Sequence, residues 1–316
     1  MGGKVTLRKL AEELSVSPST VLRALQGRGN VSSDLRRRIV QFAVRRRYKL
    51  PGHRTGHVAV IVAGMSMQGY LGMLILHLYN ELTAAGFAPY IIAERETASL
   101  NEYMFDGLIS TTWISGFEKK FPKDHILPMV SLNTRDNRLD NVYTVASDEI
   151  QGCTLGLTYL YRAGCRRIAL LMRSAERNMT TYERINAFRQ FCHDFNLPCE
   201  EPLVCKSFSR TILNSVFMKK PDAVFCATEG LALELYGYLR ECGIRIPEDI
   251  SVLGLETDHV SEFMVPGLTA LRQDFQALAH ESVKMLKQHI NGEPVSENVR
   301  IPFQFIERES VRRPLS

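Results

Sequence analysis

The spacing of apolar residues changes character near residue 50. Before it, Leu7, Leu10, Ala11 and Leu14 recur at helical spacing with Thr6 ahead of them as an N-cap, which predicts a helix over about residues 6–13. Ser17 as a cap and Pro18 at the first helical position, where the missing amide had no partner to lose, start a second helix that reaches about Leu25. Only Leu14, Ser15 and Val16 separate the two, so the helices must cross sharply, as in the helix-turn-helix that reads DNA, with Val16 expected to plug the angle. After the glycine-bearing QGRGNVSS, Ser32 or Ser33 caps a third helix with a buried stripe of Leu35, Ile39, Phe42 and Ala43. Three such helices make a complete small core, only marginally stable by itself.

Beyond His57 the period changes. Strand-sized apolar runs (HVAVIVAG, APYIIA, DGLIS, LPMVSL, then RRIALLM, PLVCK, DAVFCAT, ISVLGL, LTALRQ) alternate with helical stretches near 70–85, 181–196 and 229–242. This alternation predicts two α/β lobes with parallel sheets and a cleft beyond the carboxyl ends of their strands.

Composition narrows the class. The 316 residues are 45% hydrophobic and 23% charged, ordinary for a globular chain of several domains. The net charge of +5 is uneven: residues 1–57 carry 13 Lys/Arg against 3 Asp/Glu, a net +10, which leaves −5 for the rest. A compact basic end on an acidic body suits a polyanionic partner. No apolar run approaches the roughly 20 residues of a membrane span, and MGGKVTLRKL lacks the apolar segment of a secretory signal. The seven cysteines form no CxxC pair, so they are read as reduced thiols of a cytoplasmic protein, with no metal site. GxGxxG, P-loop and GxSxG segments are absent, and His77, His125, His193, His259, His280 and His289 are scattered. No catalytic residues and no cofactor are expected, and an enzyme or a plain solute-binding protein is disfavoured.

The segment VTLRKLAEELSVSPSTVLRALQGRGNVS resembles the headpiece of the lactose/galactose repressor (LacI/GalR) family almost position for position. By that resemblance Pro18, Ser19 and Arg23 face base edges and Ser17 and Thr20 face phosphates, with Thr6, Arg28 and Asn30 in the same DNA-binding set. Arg23 presents a two-donor fork that suits guanine, the alternative being a phosphate. Arg36, Arg37, Arg38, Arg45, Arg46, Arg47 and Lys49 add positive charge that positions without reading sequence, about half of them as solvated faces.

VASDEIQGCTLGLTYLYRAGCRRIALL and the stretch from DAVFCATEGL to LTALRQDF resemble the same family's body, which implies two periplasmic-binding-protein-like lobes. The implied domains are a headpiece at 1–50, a linker at 51–57, lobe 1 at 58–164 with 273–297, and lobe 2 at 165–272 with 298–316, the chain crossing near Gly164, Arg272 and Asn298. Positions matching the family's pocket are Arg184, which binds ligand in relatives, and Phe208, which stacks on ligand or simply packs. Tyr70 is expected at the pocket mouth, and Asp148 caps a helix or touches ligand. Thr228 and Glu229 stand where relatives show Asn-Asp, and Glu256 where they show Asp. Each extra methylene moves a carboxylate outward and Thr228 lacks an amide's donors, so the ligand need not be a common neutral hexose.

Two segments are shorter than in relatives. Residues 48–56 leave little room for a hinge helix, which Pro51 and two glycines disfavour, so a leucine wedge in the minor groove is not expected. ERETASLNEYMF leaves about two turns before Asp106. ERESVRRPLS does not continue into heptads, so no coiled-coil tetramer is implied. The sequence-based expectation is a regulator, repressing in preference to activating, that binds a double-stranded DNA operator as a homodimer. It answers to a sugar-like small-molecule effector and has no membrane partner.

Overall fold

The computed structural model describes residues 5–25, 30–46, 48, 54–63, 69–99, 104–111, 127–133, 142–173, 179–256, 259–295 and 298–313. The N-terminal unit holds helices α1 (Leu7–Leu14), α2 (Pro18–Leu25) and α3 (Ser33–Arg45). Each start is capped by a hydroxyl: Thr6 accepts from the Lys9 amide at 3.3 Å, Ser17 from Thr20 at 3.1 Å and Ser32 from Leu35 at 3.4 Å. Ser15, in the left-handed region at φ 53°, ends α1, and the half-buried Val16 packs on the core beneath the turn. Leu10, Leu14, Val21, Leu25, Ile39 and Ala43 fill that core, while Leu35 and Phe42 lie at its margin. Tyr48, near the end of the expected 1–50 headpiece, is buried in the same core, its amide donating to the Ala43 carbonyl at 2.9 Å.

The body has two six-stranded sheets. The first contains β1 (His57–Val62), β2 (Ala88–Ala93), β3 (Gly107–Ser110), β4 (Met129–Leu132), β5 (Val142–Ser147) and β11 (Asn298–Ile301), in the order β11-β5-β4-β3-β1-β2 and wholly parallel. The second contains β6 (Ile168–Arg173), β7 (Leu203–Cys205), β8 (Ala223–Cys226), β9 (Ser251–Glu256), β10 (Thr269–Arg272) and β12 (Gln304–Ile306), in the order β12-β10-β9-β8-β6-β7, with only β12 antiparallel. Helices α4 (Gly69–Ala84) and α9 (Phe275–Asn291) cover the first sheet. On the second, α5 (Glu149–Arg162) and α6 (Met179–Asp194) cover one face, and α7 (Arg210–Phe217) and α8 (Leu231–Glu241) the other. Residues 94–99 form two tight 3₁₀ turns, in keeping with the short segment there.

The chain passes between lobes after Ser147, after Arg272 and after Ile301, which moves two of the three expected crossings. The first falls at the start of α5, not near Gly164. Gly152 and Gly156 let that helix press onto the second lobe, since a Cβ at either would stand 2.6 Å from Phe303 or Leu253. The third falls after β11, not near Asn298, because Asn298–Ile301 pairs with β5 and extends the first sheet. Pro302 then separates β11 from β12, so one short segment serves both sheets.

Asp106 fixes where the body begins. Its buried carboxylate accepts from the Thr55 amide (2.8 Å), the Thr55 hydroxyl (3.1 Å) and the Gly56 amide (2.9 Å). Arg54 clamps the C-terminal end of α9, donating to the Ile290 carbonyl at 2.7 Å and Asn291 Oδ1 at 3.3 Å. Asp106→Ala leaves three donors without their acceptor and should cost about 2–4 kcal/mol of stability, read as a lowered urea midpoint.

Candidate functional site

Two places gather the chemistry. The first is the exposed face at the start of α2. Ser17, Pro18, Ser19 and Arg23 are solvent-exposed there and Thr20 is half-buried beside them. The hydroxyls form a local network, Ser17 Oγ lying 2.8 Å from both Ser19 Oγ and Thr20 Oγ1. Arg23 lies along the helix with Nε donating to the Ser19 carbonyl at 3.3 Å, which leaves its two terminal nitrogens outside that bond. Thr6 and Asn30 are exposed, Thr6 in use as a cap; Arg28 lies outside the described residues. Of the accessory arginines, Arg46 serves the headpiece fold, because it pairs with Glu13 at 2.5 Å and sits over the Phe42 ring. Arg37 pairs with Asp34 at 3.6 Å in full solvent. Arg47, Lys49 and the linker residues 51–53 lie outside the described residues.

The second place is the cleft between the lobes, at the carboxyl ends of both sheets. Arg184, on α6, is 8% exposed. Its Nε donates to Glu149 Oε2 and its Nη1 to the Ala227 carbonyl, each at 2.6 Å. Burial by itself would lower its pKa, but Glu149 outweighs that and holds the guanidinium firmly charged. From lobe 1, the Tyr70 amide donates to both carboxylate oxygens of Glu229, at 3.1 and 3.0 Å, bridging the lobes. Gly69 makes this approach possible, since it adopts φ +59° and a Cβ there would stand 2.5 Å from Glu229 Oε1. The Tyr70 hydroxyl, its pKa raised by burial, accepts from Asn133 Nδ2 at 2.5 Å, and Asn133 Oδ1 accepts from the Ser147 amide at 2.7 Å. Cys153 lies under Arg184 and Glu149, its thiol pushed up to about 12 by burial.

The structure therefore brings Tyr70, Arg184 and Glu229 together and gives the other sequence-based pocket residues local roles. Asp148 caps α5, accepting from the Gln151 amide at 3.0 Å. Thr228 ties β8 to β6, its hydroxyl accepting from the Arg173 amide at 2.9 Å. Phe208 is half-buried after β7 and packs on the cluster beneath α7 and α8. Glu256, with a side chain 1% exposed, is held between Arg272 at 3.0 Å and Arg308 at 2.9 Å.

Sequence reasoning missed Glu149, Asn133, Ser147 and Gln273. Glu149 stands in the first turn of α5, where an acid complements the helix dipole whatever else it touches, and nothing local marks it as the partner of an arginine 35 residues away. Ser147 Oγ and Gln273 Oε1 are buried at two of the crossings with no hydrogen-bond partner among the described residues. Among those residues, no group of three His, Cys, Asp or Glu side chains could hold a metal ion. Nor, among them, is any helix long and apolar enough to cross a membrane.

The periplasmic binding protein-like domain family matches residues 157–311. The HTH-type transcriptional regulator RegA of Clostridium acetobutylicum is 24% identical, over 97% of this chain and 99% of its own. The HTH-type transcriptional repressor CytR of Escherichia coli K12 is 25% identical, over 94% of this chain and 93% of its own. Among solved structures, the transcriptional regulator CelR–cellobiose complex aligns with a TM-score of 0.71 at 24% identity, covering 97% of this chain and 100% of that one. The lac repressor dimer bound to operator and the anti-inducer ONPF aligns at 0.69 and 21%, covering 97% and 98%.

Glu256→Gln keeps the shape but leaves Arg272 and Arg308 facing each other without a counter-charge. It should cost about 3 kcal/mol, measured by chemical denaturation.

Proposed function

We propose that the chain is a transcriptional regulator of the lactose/galactose repressor (LacI/GalR) family, which binds an operator through the start of α2, as a homodimer, under the control of a sugar-like effector held between its lobes. The observation that carries this reading is the conjunction of an exposed Ser17-Pro18-Ser19-Arg23 face on a basic three-helix unit with a two-lobed body whose cleft holds a buried arginine. Neither part alone needs the other. Together they fit a device in which ligand occupancy alters the placement of a DNA reader, with a coupling typically of about 1–3 kcal/mol. Repression is preferred to activation by resemblance, and the cytoplasm is where such a regulator meets DNA.

Support for a homodimer comes from apolar side chains left in solvent. Leu76 and Tyr79 share a face of α4, Tyr90 stands on β2 and Leu233 on α8, and Phe263 and Val265 are 79% and 90% exposed. Isolated exposed apolar residues are ordinary, but a set spread over both lobes suits a partner that lies along the whole body. A second headpiece would also supply the second half-site that so small a reader needs. Phe263→Glu should shift the sedimentation coefficient to that of a monomer; a variant that sediments like the parent would exclude this surface.

DNase footprinting upstream of its own and neighbouring genes tests the main reading, and sequence-blind protection across that region would sink it. Arg23→Ala should weaken the specific footprint by about 1–3 kcal/mol and relax base preference at one position per half-site. Arg184→Ala should leave the footprint in place and remove the response to effector, seen as loss of the thermal shift that the cognate sugar gives the parent protein.

A further inference from the structure

We infer that Glu149 sets the charge class of the cleft ligand: by pairing with Arg184 it makes the site one for neutral, hydroxyl-rich molecules and closes it to carboxylates and phosphates. This rests on the cleft being the effector site. A lone arginine 8% exposed in a ligand cleft would be an anion receptor, since its fork matches carboxylate and phosphate oxygens. Here that fork is already engaged, Nε with Glu149 at 2.6 Å and Nη1 with the Ala227 carbonyl at 2.6 Å, and the Glu149 side chain is only 4% exposed. The other acids near the crossings are committed elsewhere. Asp148 caps α5, Glu183 forms a two-bond pair with Arg300 at 2.6 and 3.1 Å, and Glu256 is held by Arg272 and Arg308.

An anionic ligand reaching Arg184 would have to come to rest beside Glu149, in a site where little water screens the repulsion. A hydroxyl meets no such obstacle. It can accept from the guanidinium and donate to Glu149, bringing no net charge into the cleft. Ser147 Oγ, in a residue 2% exposed, and Gln273 Oε1 are buried at two of the crossings without a partner among the described residues, so at those points the seam next to the cleft is lined by polar groups that carry no charge. A guanidinium already paired with a carboxylate describes a receptor for neutral hydroxyl groups.

Glucuronate and inorganic phosphate are the probes, titrated at matched ionic strength and followed by thermal shift and calorimetry, with glucose, ribose and cellobiose as neutral counterparts. The parent protein should show no saturable response to either anion. Glu149→Gln leaves Arg184 without its counter-charge and should bind glucuronate or phosphate saturably, with a midpoint about tenfold or more below the highest concentration at which the parent shows no response. The double variant Glu149→Gln with Arg184→Met removes both charges, should fold, and should lose the anion response again.

Saturable anion binding by the parent that Arg184→Met abolishes would overturn the proposal, and this comparison decides the matter even if Glu149→Gln alone fails to fold. A folded Glu149→Gln variant as indifferent to anions as the parent would overturn it too. Failure of every neutral sugar to bind the parent would count against the effector reading instead, and is told apart because the anion titrations of the variants report on the Glu149–Arg184 pair itself.

Discussion

Three passages of one chain between two sheets impose the geometry on which the rest of the body depends. With β5 leading into α5, β10 into α9 and β11 into β12, the carboxyl ends of both sheets are held facing each other, and neither lobe can close its sheet without the other's segment. The passages are bonded across the seam. Gln151 Oε1 accepts from the Phe303 amide at 2.9 Å, Gln304 Nε2 donates to Asp274 Oδ2 at 3.0 Å, and Arg300 reaches from β11 to Glu183 on α6 and to the Ser147 carbonyl. Side chains that meet in the cleft are thus positioned by strand ends and helix starts, which hold a site more rigidly than loops do.

The same construction links the cleft to the headpiece. Helix α9 starts at Asp274, whose carboxylate caps it and holds Gln304, and the ring of its first residue, Phe275, meets Tyr70 edge-on at 5.7 Å. At its other end, about 25 Å away for 17 residues, its carbonyl at Ile290 receives Arg54. One rigid element therefore touches both the second crossing and the point where the linker is fastened. Five residues separate Tyr48 in the headpiece core from Arg54 on the body, so the two anchors can stand no more than about 20 Å apart. On so short a tether the body limits where the DNA-reading face can be presented.

Polar residues that look like ligand contacts in the sequence divide sharply once their partners are seen. Glu229 faces lobe 1 and holds the Tyr70 amide, whereas Glu256 is enclosed between two arginines, and Asp148 and Thr228 are bonded to nearby backbone amides. Buried pairs of this kind contribute little net stability, because desolvation offsets most of the attraction, but they penalise any arrangement that separates the partners. The cleft's character follows from which charges are already satisfied when the lobes meet.

What the chain alone determined was everything governed by near neighbours. Thr6, Ser17 and Ser32 cap helices, Pro18 opens one, apolar positions at helical spacing bury the headpiece core, and β-rich runs mark most of the parallel strands, because caps, turns and amphipathic faces act within a few residues. The family likeness of the α2 segment was legible for the same reason. Tertiary structure decided the partnerships that span long separations: Arg184 with Glu149, Glu256 with Arg308, Arg54 with α9, and β11 with the first sheet. A first-turn glutamate has the same local pattern whether it faces water or a buried guanidinium. A four-residue strand ahead of a proline carries no mark of the sheet it will join. Only tertiary packing, such as the burial of Phe303 against Gly152 within the second lobe, selects among those outcomes.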